Sequence, residues 1–230
     1  MRPNMRLIHN LKIFTLILAL FVLNSCSSEE ILVSIEKQSS DGFGEGEIAK
    51  EGEQLALHYD SSQLWRYVNG GAINSTPGQL NGNAMCVFYS LAYALQYYIF
   101  PITSISLACL YGNYKGMTNI EIIEMMAFNG VNLSQLTDIL DFLPLLCSSL
   151  GGVNHVFYQT QDVLQWVKPQ IDVNHPLIGV YSVPNGGHAV TIIAYDIANP
   201  DHILYYEPFN GTLRDDLDYY HHFIGAASVY

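Results

Sequence analysis

An α+β fold, with helices in the first half of the chain and antiparallel strands in the second, follows from three features of this 230-residue sequence. Apolar residues in the first half recur at helical spacing. Three segments in the second half are rich in β-branched and aromatic residues. Clusters of turn-forming residues separate those segments.

The N-terminus comes first and stands apart from the fold. Arg2, Arg6 and Lys12 form a positive front, and Ile13 to Leu23 is an apolar run. That run has the length of a secretory signal core and is short for a membrane span. The sequence Leu23-Asn24-Ser25-Cys26 follows at once. Together these features resemble the bacterial lipoprotein signal. The resemblance implies cleavage of residues 1–25 and a lipid on the Cys26 thiol. An ordinary cleaved signal and an uncleaved anchor are the plainer alternatives. Residues 26–53 are polar, acidic and glycine-bearing, the composition of a tether, with room for a short strand at Ile31 to Ile35. The globular domain is expected over 54–230, and no internal repeat is present.

Within that domain the first helix begins near Cys86. Phe88, Leu91, Ala92, Leu95, Tyr98 and Ile99 line one face, and Pro101 stops it. Thr118 followed by Glu121 is a capping-box pattern opening a second helix. Ser134 to Leu143, before Pro144, predicts a third, and Thr160 to Val167 a fourth. The strands are expected at 176–183, 188–196 and 202–209, with "GAASVY" as a last one. Pro184-Asn185-Gly186-Gly187 and Asn199-Pro200-Asp201 are the turns between them.

Charge removes one class of partner. The formal net charge is −12, and losing residues 1–25, with three positive charges and no negative ones, makes it −15. Such a chain repels phosphate backbones, so nucleic acid is not an expected partner. The four cysteines are Cys26, Cys86, Cys109 and Cys147. With Cys26 lipidated, an odd number remains in an oxidising compartment. Either one thiol is free or all three are. A Cys109–Cys147 pair leaves Cys86 as the survivor. The cysteine and histidine spacings do not match a zinc site.

Cys86 therefore carries the functional question. A thiolate is the nucleophilic form of cysteine, and a helix N-terminus or a histidinium partner favours it. Cys86 sits where a helix should start. Taken alone, it reads more readily as a small core hydrophobe than as a nucleophile. His188 follows Gly186-Gly187 at the mouth of a strand, where a ring can face a cleft, or can simply bond within a turn. If strands 188–196 and 202–209 form a hairpin, one register sets Glu207 opposite His188 and another, three residues away, sets Asn210 there. Either side chain can accept the imidazole N–H and hold its tautomer. Gln79, seven residues before Cys86, can donate to a developing oxyanion with the Cys86 backbone N–H, with Asn81 and Asn83 as rivals. Each of these loop or strand-end residues also has an ordinary structural reading.

Their order along the chain is more specific than any one of them. Gln79, then Cys86 opening a helix, then His188 after two glycines, then Glu207 or Asn210 on the next strand, resembles the papain-like cysteine peptidases. The likeness spans roughly residues 79–210. "GGHAVTIIAYD" followed by "YYEPFNG" is most similar to the family of bacteriocin-leader, or double-glycine, peptidases. There a Gly-Tyr-Asp-like sequence ends the histidine motif and Asp-Pro follows; here Ala194-Tyr195-Asp196 and Glu207-Pro208 occupy those places. "CVFYSLAYALQYYIFP" resembles the nucleophile helix of the streptopain family, although no Asn-Trp motif follows His188. The usual Asp-Cys-Gly is Met85-Cys86-Val87 here, and glutamate stands in place of aspartate.

The resemblance implies a papain-like fold, with the nucleophile helix packed on a C-terminal antiparallel sheet. It further implies a cysteine peptidase in which Cys86 attacks, His188 transfers the proton, Glu207 (or Asn210) orients, and Gln79 stabilises the oxyanion, with no metal or organic cofactor. With the lipid signal, the expected setting is a bacterial cell envelope, periplasmic or surface-exposed, and the expected partners are a peptide or protein substrate and the membrane. Two other functions fit the same residues. One is a peptidoglycan amidase or endopeptidase of CHAP or NlpC type, although such domains keep Cys and His closer than the 102 positions between Cys86 and His188. The other is an inactive papain-like module binding peptides through its sixteen tyrosines. A structural lipoprotein with Cys86 as core is the plainest alternative.

Overall fold

The computed structural model describes residues 65–68, 84–98, 100, 102–147, 150–157, 160–183, 186–199, 202–215 and 223–230. The predicted signal, the tether with its possible strand, Gln79, Asn81 and Asn83 lie outside them. Among the described residues no helix is long and apolar enough to cross a membrane.

The described chain combines helices with an antiparallel sheet. Its elements are β1 (Trp65–Tyr67), α1 (Cys86–Leu95), α2 (Ser104–Tyr114), α3 (Asn119–Glu124), α4 (Leu133–Leu146), β2 (Val153–Phe157), α5 (Thr160–Asp172), β3 (Leu177–Val183), β4 (Gly186–Asp196), β5 (Ile203–Glu207), β6 (Thr212–Arg214) and β7 (Phe223–Val229). A 3₁₀ turn, Gln96–Tyr98, extends α1, and a π-helical turn, Met125–Asn129, extends α3. The strand order is β2-β7-β3-β4-β5-β6, every pairing is antiparallel, and β1 pairs with the end of β4. β3 and β1 lie end to end along one edge of β4, while β5 takes the other.

Helix α1 is buried nearly all round, as its predominantly apolar composition requires, with Ser90 the buried polar residue within it. One side packs on α2 through Phe88 and Tyr111, with ring centroids 6.3 Å apart. Tyr93 stacks on Tyr206 of β5 at 4.1 Å. Two hydrogen bonds tie its middle to β4: Ser90 Oγ donates to the Ala189 carbonyl at 3.0 Å, and Thr191 Oγ1 donates to the Ser90 carbonyl at 2.8 Å. The larger core lies between α1–α4 and the sheet face bearing Ile178, Val180, Ala189, Ala227 and Val229. The opposite face, with Leu177, Tyr181, Val190, Ile192, Phe223 and Ala226, packs on Val167 and Ile171 of α5. Buried on both faces, the central strands read as continuous apolar runs rather than alternating ones.

Local signals explain most helix starts. Thr118 and Glu121 form the predicted capping box, and Asn132 with Gln135 forms another at α4. Thr103 caps α2, a helix the periodicity did not reveal, by accepting from the Ser106 N–H. Two helices outrun their predicted ends. α4 continues through Pro144 to Leu146, and α5 runs through Pro169 to Asp172. A proline removes one helical hydrogen bond, and tertiary packing of Leu143 and of Ile171 outweighs that loss. β1, β2 and β6 are short strands without a sequence signal long enough to find them. Gly186 and Gly187 are the first two residues of β4, not a turn, so His188 is the third residue of its strand.

Candidate active site

The N-terminus of α1 presents Cys86. Its N-cap, Met85, makes no side-chain capping bond. The first-turn N–H groups, which no helical carbonyl can reach, keep their partial positive charge beside the thiol. The approach to Cys86 is held from outside the helix. The Ala84 N–H donates to the Met126 carbonyl in the π-helical turn at 2.9 Å. That turn closes at Gly130, which has φ +62°, and a Cβ there would lie 3.2 Å from the Ala84 Cβ. Both the backbone angle and the close approach call for glycine.

His188 enters from β4. Its Nε2 lies 2.6 Å from Glu207 Oε1. The β4–β5 register pairs Thr191 with Tyr206 and Ile192 with Tyr205. Nearer the turn, Ala194 pairs with Leu204 and Tyr195 with Ile203, which is the register that would set Asn210 opposite His188, but the register shifts by one between Ile192 and Ala194. Continuing the shifted register one step sets Glu207 level with Val190, so neither pairing weighed from sequence reaches His188. Glu207 nevertheless shares a face with His188, two residues along β4, because side chains alternate with a period of two. The same Oε1 accepts the Phe209 backbone N–H at 3.0 Å, which fixes the carboxylate. Asn210 is exposed, and its side-chain Oδ1 instead accepts from the backbone N–H and the hydroxyl of Thr212.

The imidazole is bonded to Glu207 and lies within interaction range of the Cys86 thiol. With Nε2 committed to the carboxylate, Nδ1 is the nitrogen left for sulfur. Burial pulls the His188 pKa down. The hydrogen bonds and charges of Cys86 and Glu207 more than offset it, and the ring is lifted to about 9. The side chains of His188 and Glu207 are only 16% and 5% exposed, so little water screens their attraction. The ring of Tyr181, opposite His188 on β3, meets the imidazole edge-on at 5.2 Å, and Phe223 meets Tyr181 edge-on at 5.9 Å. Sequence reasoning missed both rings; a tyrosine directly across a hairpin from a functional histidine is the signal that points to one of them.

Cys86 is partly exposed, whereas Cys109 and Cys147 are buried, and all three are free thiols. The Cys109–Cys147 pair weighed from sequence does not form; both sulfurs fill the helical core as small hydrophobes. The strand glycine Gly187 is not demanded by neighbours, since a Cβ there would come no closer than 3.7 Å to Val180. Among the described residues, His202 also lies against acidic side chains, at the far end of the β4–β5 hairpin beside Trp65, Asp196 and Asp215. Among the described residues no group of three His, Cys, Asp or Glu side chains has the arrangement of a metal site.

Comparison with known proteins adds little to these side chains. No family model and no curated protein matches the chain. Among solved structures it is similar to a Bacillus anthracis protein described provisionally as a C39-like peptidase. The two are 15% identical, with a TM-score of 0.48, over 70% of this chain and 96% of the other.

Proposed function

We propose that this chain is a papain-like thiol peptidase, held at a bacterial cell envelope by a lipid on Cys26. The observation that carries the reading is one imidazole gripped between a partly exposed thiol at a helix N-terminus and a buried carboxylate. That arrangement stores an imidazolium beside sulfur, the charge pattern in which a thiol reacts as thiolate.

The reaction runs in two displacements. Cys86 Sγ, as thiolate, attacks a peptide carbonyl carbon, and the oxygen takes up the negative charge. The Cys86 backbone N–H, unspent by the helix, stabilises that charge. Gln79 is assigned the second donor on its sequence position. His188 gives its proton to the leaving amine as the C–N bond breaks, leaving a thioester on Cys86. His188, now neutral, takes a proton from water, and the resulting hydroxide equivalent splits the thioester and frees the thiol. Glu207 keeps Nε2–H pointed away from sulfur throughout, so that Nδ1 faces the reaction.

Casein and peptide hydrolysis by the full chain tests the proposal. Turnover abolished by Cys86→Ala and by His188→Ala supports it. Digestion of purified peptidoglycan without peptide cleavage would favour the amidase reading. No turnover together with sluggish Cys86 alkylation would leave a binding module. Incorporation of labelled palmitate, lost in Cys26→Ser, tests the anchor separately.

A further inference from the structure

The two hydrogen bonds between α1 and β4 are out of place on packing grounds. Ser90 and Thr191 are both fully buried within an otherwise apolar helix–strand contact. Alanine and valine fit such positions without burying a hydroxyl. A buried hydroxyl costs free energy unless satisfied, and once satisfied it adds only a modest net gain. What it does add is direction. An apolar contact tolerates a helix sliding along a sheet by a fraction of a turn; a hydrogen bond does not.

The placement of this pair is what matters. Ser90 lies one helical turn after Cys86, and the carbonyl it bonds belongs to Ala189, next to His188. The return bond comes from Thr191, three residues beyond His188, to the carbonyl of Ser90 itself. Both bonds thus join the element that carries the thiol to the element that carries the imidazole, within one turn and three residues of the reacting groups. The helical N–H that reaches the Ser90 carbonyl leaves it a second lone pair, which Thr191 takes. The Ser90 hydroxyl, which in many helices bonds back to its own preceding turn, is sent to the strand instead.

We propose that Ser90 and Thr191 are positioning residues that lock the register of α1 on β4 and so set the separation of the Cys86 sulfur from the His188 ring. This rests on the thiol-peptidase reading. The lock acts through Cys86 and His188 and touches no substrate.

The test is the pH profile of Cys86 alkylation by iodoacetamide in the full chain, followed by peptide mass spectrometry. The variants are Ser90→Ala, Thr191→Val, their double and Thr191→Ser. Thermal melts and circular dichroism are read in parallel. The expected result has three parts. Wild type labels rapidly down to pH 6. The folded Thr191→Val and double variants lose at least tenfold in rate at pH 6, with the acid limb moved to higher pH. Thr191→Ser keeps the wild-type profile. Folded variants with a wild-type profile, whatever their melting temperature, overturn the proposal and leave the peptidase reading intact. If the double variant does not fold, the single hydroxyl deletion in Ser90→Ala decides on the same criterion. Slow labelling of wild-type Cys86, no faster than an ordinary thiol, overturns the peptidase reading and the lock with it.

Discussion

His188 and Glu207, nineteen residues apart and on neighbouring strands, are joined by a 2.6 Å hydrogen bond that buries the carboxylate almost completely. Glu207 in turn is pinned by the Phe209 N–H. An acceptor oxygen fixed by a backbone N–H orients the ring it also holds.

Replacing that acceptor separates orientation from mere proximity. Glu207→Gln is expected to cut peptide hydrolysis by a factor on the order of 10² to 10⁴, the usual range for misplacing a general acid–base. Asn210→Ala, which disturbs the turn with Thr212, is expected to leave turnover within a few-fold. Steady-state kinetics on both variants checks the pair; the reverse ranking would hand the orienting role to Asn210.

Folding stability should fall as pH rises past neutrality. The folded-state pKa of His188, about 9, lies above its ordinary 6.5. The stabilisation is therefore complete below about 6.5 and is lost as pH climbs through 9. Thermal melts of wild type between pH 6 and 10 should show this decline, and His188→Gln should show a flatter curve over the same window. Parallel curves would mean that the imidazolium contributes nothing to the fold.

Thiol labelling should rank the three cysteines. At pH 6, Cys86 is expected to react with iodoacetamide far faster than the buried Cys109 and Cys147, and His188→Ala is expected to erase the difference. Mass spectrometry of the labelled peptides reads all three at once. Cys86→Ala should cost little stability, since the thiol is partly exposed, so a large drop in melting temperature would speak for a core role.

Gly179 is expected to be the least replaceable strand glycine. A Cβ there would lie 2.5 Å from Phe223 Cε1 and 3.0 Å from Ile192 Cδ1. Gly179→Ala must push aside a buried ring, at a cost of about 1–3 kcal/mol. Because Phe223 braces Tyr181, and Tyr181 braces His188, Cys86 labelling should slow as well. Gly187→Ala, which meets only ordinary contacts, should change stability by no more than about 0.5 kcal/mol by denaturant titration.

Much of this arrangement was legible from residue order. Local patterns marked the start of α1 at Cys86, the Thr118 capping box, and the strands carrying His188 and Glu207, because apolar period, caps and β-branched runs are written in neighbouring residues. Order also singled out Cys86, His188 and Glu207, as residue types that are chemically useful only together. Other features were not local. The helices passed through Pro144 and Pro169, since core packing there outweighs one missing hydrogen bond. The choice of Glu207 over Asn210 needed the hairpin register, which neither strand encodes alone. The free state of Cys109 and Cys147 depended on where two helices set their sulfurs. The sequence by itself determined which groups are available and which elements carry them, because those depend on short-range periodicity. Only the tertiary structure decided which groups meet, because a strand register, a helix seated by Ser90 and Thr191, and a glycine yielding to Phe223 are contacts between residues far apart in the chain.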